Sequence, residues 1–157
     1  MKAIFLVLFI LCFAAGFAME RVTYDEILKY EDWSEIYECF PVDAAFVDLI
    51  RSQLEENLKI DVYFAYWCVD SVHNVPPFIK ILDLIGYEKI EVDYYNVGKR
   101  KKGTQKYYVD DLQIERIPTF IFSKNGGETG RIIENPKITL VEDFLNIILT
   151  GDLKHVP

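Results

Sequence analysis

Residues 60–77 restrict the fold of this chain more than any other stretch. They begin as a run of apolar and β-branched residues that ends at Trp67 and Cys68. Beyond Cys68, apolar residues recur every three or four positions, which is the spacing of a helix and not of a strand. The pattern therefore predicts a buried strand followed directly by a helix, with Cys68 at the junction.

The predicted position of Cys68 has chemical consequences. The unpaired N–H groups and the positive dipole end at a helix N-terminus both favour the thiolate over the thiol. A thiolate is a nucleophile, so the pattern indicates a reactive cysteine. The alternative is that Cys68 is one more small core residue, whose buried thiol would be inert.

The N-terminus reads as an export signal. Residues 1–18 contain one lysine, an apolar stretch and then small residues ending in Ala18. This pattern predicts a signal peptide that is cleaved after Ala18, and hence a secreted or periplasmic protein. A membrane anchor is the alternative, but the apolar run is shorter than the roughly 20 residues of a spanning helix. No stable membrane insertion is expected after cleavage.

Charge and cysteine content limit the partners of the mature chain. The chain has a formal net charge of −8, which becomes −9 when Lys2 leaves with the signal peptide. Such an acidic surface argues against nucleic acid as a partner. The basic cluster at residues 99–102 is interpreted as a solvated loop. Cleavage also removes Cys12, so Cys39 and Cys68 remain, and these two could simply form a structural disulfide.

The rest of the chain alternates between helix and strand patterns and is short enough for one domain. A strand, a helix and a second strand predict a right-handed parallel crossover, and a later Gly-rich turn predicts a hairpin. In order, the predicted elements are one or two short helices within 20–40, a helix over 43–57, a strand over 60–66, a helix over 68–86, strands over 89–92, 118–123 and 129–134, and a helix ending at Gly151.

These features in this order resemble the thioredoxin-like superfamily, over about residues 58–150. The features are Trp67-Cys68 at the junction, Pro76 eight residues after Cys68, Ile117-Pro118-Thr119 at the start of the third strand, and the closing hairpin. The active segment is similar to Trp-Cys-x-Asp-Cys of a bacterial exported branch, but it ends in Ser71. The resemblance implies a three-layer α/β/α sandwich with a central mixed β-sheet.

The export signal and this resemblance together predict four parts of the chain. Residues 1–18 are the signal peptide and residues 19–57 are an N-terminal helical extension that the minimal fold does not require. The thioredoxin-like domain is expected over residues 58–151, followed by a C-terminal tail at residues 152–157.

The resemblance also implies a docking edge beside the active cysteine. In the family a cis-proline loop lies against that cysteine, and its backbone pairs with an extended stretch of the substrate. Carried over, Ile117, Pro118 and Thr119 form this edge, and Trp67 forms part of an apolar rim. Sequence alone does not decide the isomer of Pro118, because only about one X-Pro bond in twenty is cis in folded proteins.

Two positions depart from the family pattern. Ser71 replaces the second cysteine, and a serine hydroxyl cannot resolve a mixed disulfide. Val62 stands where many thioredoxins carry a buried acid. What remains is single-thiol chemistry at Cys68, in which Ser71 would donate a hydrogen bond to the thiolate. Cys39 could act as the resolving thiol or disulfide partner if its Cα lies within about 7 Å of that of Cys68.

The functional prediction is thiol–disulfide exchange in which Cys68 forms a mixed disulfide that an external thiol or Cys39 resolves. The predicted partners are cysteine-containing proteins or low-molecular-weight thiols. The alternative is a redox-inactive protein-binding module that kept the fold and the docking edge. No cysteine and histidine spacing indicates a metal site, and no Gly-rich loop indicates a phosphate, so no cofactor is predicted. The sequence does not predict an oligomeric state.

Overall fold

The computed structural model describes residues 19–54, 57–86, 90–98, 108–109 and 111–151. The predicted signal peptide, the basic cluster at 99–102 and the tail at 152–157 lie outside these residues. Ten elements follow in order: β1 (Glu20–Val22), α1 (Tyr24–Ile27), α2 (Glu31–Cys39), α3 (Ala44–Gln53), β2 (Leu58–Phe64), α4 (Val69–Ile85), β3 (Ile90–Asn96), β4 (Thr119–Lys124), β5 (Gly127–Ile133) and α5 (Leu140–Thr150).

The five strands form one mixed sheet in the order β1-β3-β2-β4-β5. Strands β2 and β3 pair in parallel and are connected through α4, whereas β4 pairs antiparallel with both β2 and β5. Strand β2 is therefore central, and its C-terminal end leads into Cys68. This arrangement confirms the predicted α/β fold with a central mixed sheet, the parallel crossover and the closing hairpin.

Helices α2 to α5 pack on the sheet in one main core. Alternate residues of β2, such as Ile60, Val62 and Phe64, contribute to this core, as period-two alternation requires. Phe78 of α4 lies at its centre, with its ring centroid 4.5 Å from that of Phe120 and 5.8 Å from that of Phe144. The main core thus fixes α4, and with it the helix start at Cys68, against the central strands.

A smaller apolar cluster lies on the opposite face of the sheet, beside the end of β2. It contains Tyr63, Ala65, Ile117 and Ile121, and the partly buried Cys68 packs against it. The position of Cys68 is therefore set by two packed groups, one on each side of the sheet.

The N-terminal extension is not purely helical, which corrects the prediction for residues 19–57. It opens with β1, which pairs antiparallel with the edge of β3. A strand of three residues is too short to show a period-two pattern, so its signal in the sequence is lost. The extension is also part of the main core, since Ile27, Trp33, Val47 and Ile50 are buried there.

Several predicted element ends agree with the structure and others shift. Thr23 and Asp43 cap the N-termini of α1 and α3, and Gly86 and Gly151 are the C-terminal caps of α4 and α5, where those helices were predicted to end. Strand β3, however, continues to Asn96, four residues beyond its predicted end. None of the helices in the described part of the chain is long and apolar enough to cross a membrane.

Candidate functional site

Cys68 is the N-cap residue of α4, in the tight turn that follows β2. Its backbone N–H donates to the Ala65 carbonyl at 3.0 Å, and its own carbonyl accepts from the Val72 N–H at 3.0 Å. The side chain is half-buried. Its neighbours Trp67 and Val69 are 46% and 66% exposed, so the sulfur lies at the edge of an accessible apolar surface.

The cis-proline loop lies directly against this sulfur. The Cys68 Sγ donates to the Ile117 carbonyl at 3.3 Å, and the Ile117–Pro118 peptide bond is cis. Thr119 follows as the first residue of β4 and is buried, with its hydroxyl donating to the Arg116 carbonyl at 2.7 Å. The loop at Ile117–Thr119 thus lies beside Cys68, although Ile117 is 49 residues further along the sequence.

Ser71 is fully buried in the first turn of α4. Its hydroxyl oxygen accepts from the Ala65 backbone N–H at 3.3 Å. Within the described residues, no hydrogen bond connects this hydroxyl to the Cys68 sulfur. Ala65 at the end of β2 is thus bonded twice: its N–H donates to Ser71 and its carbonyl accepts from the Cys68 N–H. These two bonds hold the end of the strand against the first turn of α4.

The structure does not bring Cys39 close to Cys68. Cys39 is exposed at the C-terminal end of α2, and both cysteines are free thiols. The residues before it contact the second half of α4: the Tyr37 hydroxyl donates to Asp83 at 2.5 Å, and Glu38 lies 3.9 Å from the Lys80 Nζ.

Position 80 is twelve residues along the helix from Cys68, or about 18 Å. A disulfide requires Cα atoms within about 7 Å of each other. In this arrangement Cys39 and Cys68 cannot form one, because α2 carries Cys39 to the far end of α4.

The aromatic residues at the junction face two different directions. Trp67 is exposed, with its ring 6.3 Å from that of Tyr108. Tyr66 instead packs against the extension, with ring centroids 5.4 Å from Trp33 and 4.4 Å from Tyr30. Burial, together with the nearby Tyr30, Glu20 and Glu26, raises the pKa of the Tyr66 phenol to about 12. The sequence did not indicate Tyr30 as a neighbour of the site.

Sequence reasoning also missed the turn after β5, which connects the two halves of the site. The Glu134 N–H donates to the Pro118 carbonyl at 2.7 Å, and its carboxylate accepts from Arg116 at 2.6 Å. The next residue, Asn135, accepts from the Asn74 side chain of α4 at 3.1 Å. One turn therefore holds both parts of the site: Glu134 bonds to the proline loop, and Asn135 bonds to the helix that begins at Cys68. These contacts cross the fold and leave no local signal in the sequence.

A charged group lies on the face of the sheet opposite the main core. Lys59 Nζ lies 3.1 Å from Asp93 and 3.5 Å from Asp61, and Arg21 forms an ion pair with Asp93. Burial raises the pKa of Asp61, and Lys59 only partly offsets this. For Asp93 burial acts in the same direction, but Lys59 and Arg21 outweigh it and lower its pKa. No group of three or more His, Cys, Asp or Glu side chains within the described residues could hold a metal ion.

Comparisons with known proteins agree with the observed fold. A thioredoxin family model matches residues 18–143. The fold is similar to that of a protein of unknown function, PA1234, from Pseudomonas aeruginosa, with a TM-score of 0.57 and 18% identity over 74% of this chain and 81% of that one. It is also similar to an HIV epitope-scaffold, 4E10_S0, with a TM-score of 0.51 and 18% identity over 79% and 76%. No curated protein matches the sequence. At this identity the structural likeness shows the fold alone.

Proposed function

Because the chain belongs to the thioredoxin family, we propose that it is an exported thiol–disulfide exchange protein with Cys68 as its single nucleophile. One observation carries the proposal: the half-buried sulfur at the start of α4 contacts the carbonyl that precedes cis-Pro118. This combines an accessible sulfur at a helix N-terminus with a backbone edge that can hold a substrate.

The proposed reaction has three exchange steps. In the first, the Cys68 thiolate attacks one sulfur of a substrate disulfide, so that a mixed disulfide forms and the other substrate sulfur leaves as a thiolate. In the second, a low-molecular-weight thiol attacks the Cys68 sulfur, which releases the substrate and leaves Cys68 joined to the small thiol. In the third, a second molecule of that thiol attacks the sulfur of the first, which forms the small-molecule disulfide and frees the Cys68 thiolate. Overall, the substrate disulfide is reduced and two small thiols are oxidised to a disulfide.

The Ile117 carbonyl has a specific role in this proposal. It accepts the Cys68 S–H when the thiol is protonated. When the proton leaves, the carbonyl oxygen loses this donor and becomes available to a backbone N–H of an extended substrate chain. Deprotonation of the nucleophile and docking of the substrate are thereby linked at one atom, by the addition of a strand at this edge.

The resolving thiol is proposed to come from solution. Ser71 has no sulfur and its hydroxyl is held by Ala65. Cys39 lies at the other end of α4, as described above. A mixed disulfide on Cys68 therefore has no internal thiol to break it.

The buried Ser71 also favours a second candidate function. A protein that cannot resolve its own mixed disulfide can serve as a binding module that uses the docking edge without turnover. In that case Trp67 and the Ile117–Thr119 edge would bind peptides whether or not Cys68 is present.

A reduction assay separates the two functions. The mature chain carrying Cys39→Ser should reduce a glutathionylated peptide when glutathione is supplied. Adding Cys68→Ser to the same chain should lower the rate to that of glutathione alone. The Cys39→Ser chain serves as the matched control, since it loses the exposed thiol and keeps Cys68. If Cys68→Ser leaves turnover unchanged, the exchange function is wrong and the binding module is favoured.

Export is a separate part of the proposal. It is supported by the apolar N-terminal stretch ending at Ala18. The intact mass of the protein purified from the extracellular or periplasmic fraction should correspond to a chain starting at Met19. Recovery of only the full-length chain, in the cytoplasmic fraction, would contradict it.

A further inference from the structure

A groove of about 360 Å³ lies beside the active segment, between Tyr66 and the N-terminal extension. Its lining residues are Glu20, Val22, Glu26, Lys29, Tyr30 and Tyr66. Five of these six belong to the N-terminal extension at residues 19–57. The groove is therefore a feature that the extension adds to the site.

The groove lies close enough to Cys68 to contact a substrate bound there. Tyr66 is two residues before Cys68, and two residues span at most about 7 Å. The proline loop contacts the sulfur on the face of the sheet that carries the smaller apolar cluster. Tyr66 packs toward α2 on the opposite face, which carries the main core. A substrate bound at Cys68 can thus contact both the proline loop and the groove.

The chemistry of the groove favours a cationic side chain. Tyr30 is 50% exposed and lies against Tyr66, so an aromatic face is open to the groove. Two carboxylates, Glu20 and Glu26, face one ammonium, Lys29, which leaves a net negative charge.

Glu26 Oε2 accepts from the Thr23 N–H and hydroxyl. Within the described residues, Oε1 accepts no hydrogen bond. An arginine guanidinium could stack on Tyr30 and donate to this oxygen at the same time.

We propose that this groove is a specificity subsite that binds an arginine or lysine side chain near the reactive cysteine of a protein substrate. The proposal rests on the proposed exchange function, because it assumes that the substrate reacts at Cys68. It assigns the extension a role in selecting the substrate. A basic residue beside the target disulfide would also suit the acidic surface of the mature chain.

The test uses the mature chain carrying Cys39→Ser and short peptides whose single cysteine is supplied as a mixed disulfide with 2-nitro-5-thiobenzoate. Attack by Cys68 on the peptide sulfur forms the Cys68–peptide disulfide and releases the coloured thiolate, which gives the rate. Three peptides that differ at a single position carry arginine, glutamine or glutamate there. That position is placed two or three residues before the cysteine in one set of three and after it in another. We expect the arginine peptide to react roughly fivefold faster than the glutamine peptide and the glutamate peptide to be slowest.

Variants assign the preference to the groove. Tyr30→Ala and Glu26→Gln should each reduce the arginine preference, while Tyr30→Phe keeps the ring and should retain it. Glu38→Gln, which removes a charge at the far end of α4, is the matched control and should have no effect. Equal rates for the three peptides, or a preference that persists in Tyr30→Ala and Glu26→Gln together, would overturn the subsite and leave the exchange function standing.

The opposite outcome, in which the exchange function fails, still allows the groove to be tested. If no peptide reacts with Cys68, the exchange function is wrong. The groove is then tested by the dissociation constants of serine-containing arginine and glutamine peptides for the Cys68→Ser chain. A lower value for the arginine peptide, lost in Tyr30→Ala, supports the subsite as part of a binding module, and equal values overturn it.

Discussion

Ser71 lies one helical turn after Cys68, fully buried, with its hydroxyl bonded to the Ala65 amide. Residues three apart on a helix have Cα atoms about 5 Å apart, which is within the range of about 4.4–6.8 Å that a disulfide needs. A sulfur at position 71 would thus be near the Cys68 sulfur. The single-thiol character of the site depends on one atom of this side chain.

We therefore predict that Ser71→Cys converts the site to a dithiol. In the Cys39→Ser background, Ser71→Cys treated with a mild oxidant should lose two hydrogens by intact mass, because positions 68 and 71 can form a disulfide. The same chain with Ser71 unchanged is the control and should keep its mass. A Ser71→Cys chain that keeps two free thiols by alkylation after oxidation would show that the buried side chain faces away from Cys68.

At the scale of the elements, β2 and β3 bring two aspartates side by side in their parallel register. Asp61 pairs with Asp93 across the strands, yet their surroundings differ. Asp93 forms ion pairs with Lys59 and Arg21, whereas the buried Asp61 Oδ1 has a longer ion pair with Lys59, at 3.5 Å, and no hydrogen-bond partner among the described residues. An ionised aspartate therefore stabilises the fold at position 93 and destabilises it at position 61.

We predict that the same substitution at the two positions has opposite effects. Asp93→Asn should lower the free energy of unfolding at neutral pH by about 1–3 kcal/mol, because it weakens charge-assisted hydrogen bonds to a buried acceptor. Asp61→Asn should raise it, because it removes a buried charge without an adequate partner. Urea unfolding of both variants and the parent measures this. Two shifts of the same sign would contradict it.

The pH dependence of these shifts follows from the two pKa directions. The pKa of Asp93 is lowered on folding, so its stabilising contribution is present above the unfolded pKa and is lost as the pH falls through the folded value. The pKa of Asp61 is raised, so its ionised form costs stability at neutral pH. The gain from Asp61→Asn should accordingly disappear below the usual aspartate pKa of about 3.9, as measured by unfolding at acidic pH.

The sequence predicts features whose signal is local and misses those that depend on distant partners. The strand-to-helix junction at Cys68 and the closing hairpin are encoded in short patterns of spacing and turn residues. Strand β3 continues beyond its predicted end through Asp93, a residue type that is depleted in strands and that is here paired with Lys59 and Arg21. The distance from Cys39 to Cys68 and the partner of Ser71 likewise depend on packing that spacing alone does not give.

At the scale of the whole molecule, the extension is part of the fold. Strand β1 extends the sheet, and Ile27 and Trp33 are buried in the main core. The Trp33 ring lies 5.5 Å from Phe64 and 5.4 Å from Tyr66, at the end of the strand that leads to Cys68. The extension therefore packs against the end of β2 that leads to Cys68, and it also lines the groove beside Tyr66.

The two tryptophans of the chain allow these roles to be measured separately. Trp33 is 3% exposed, so Trp33→Ala should lower the free energy of unfolding by about 3–5 kcal/mol, through lost burial and the cavity left behind. Trp67 is 46% exposed, so Trp67→Ala should cost less than about 1 kcal/mol. Urea unfolding of both variants and the parent gives the comparison. Because Trp67 lies beside the sulfur, Trp67→Ala should instead slow the reaction of Cys68 with peptide disulfides. Equal losses of stability in the two variants would mean that the extension does not share the core of the fold.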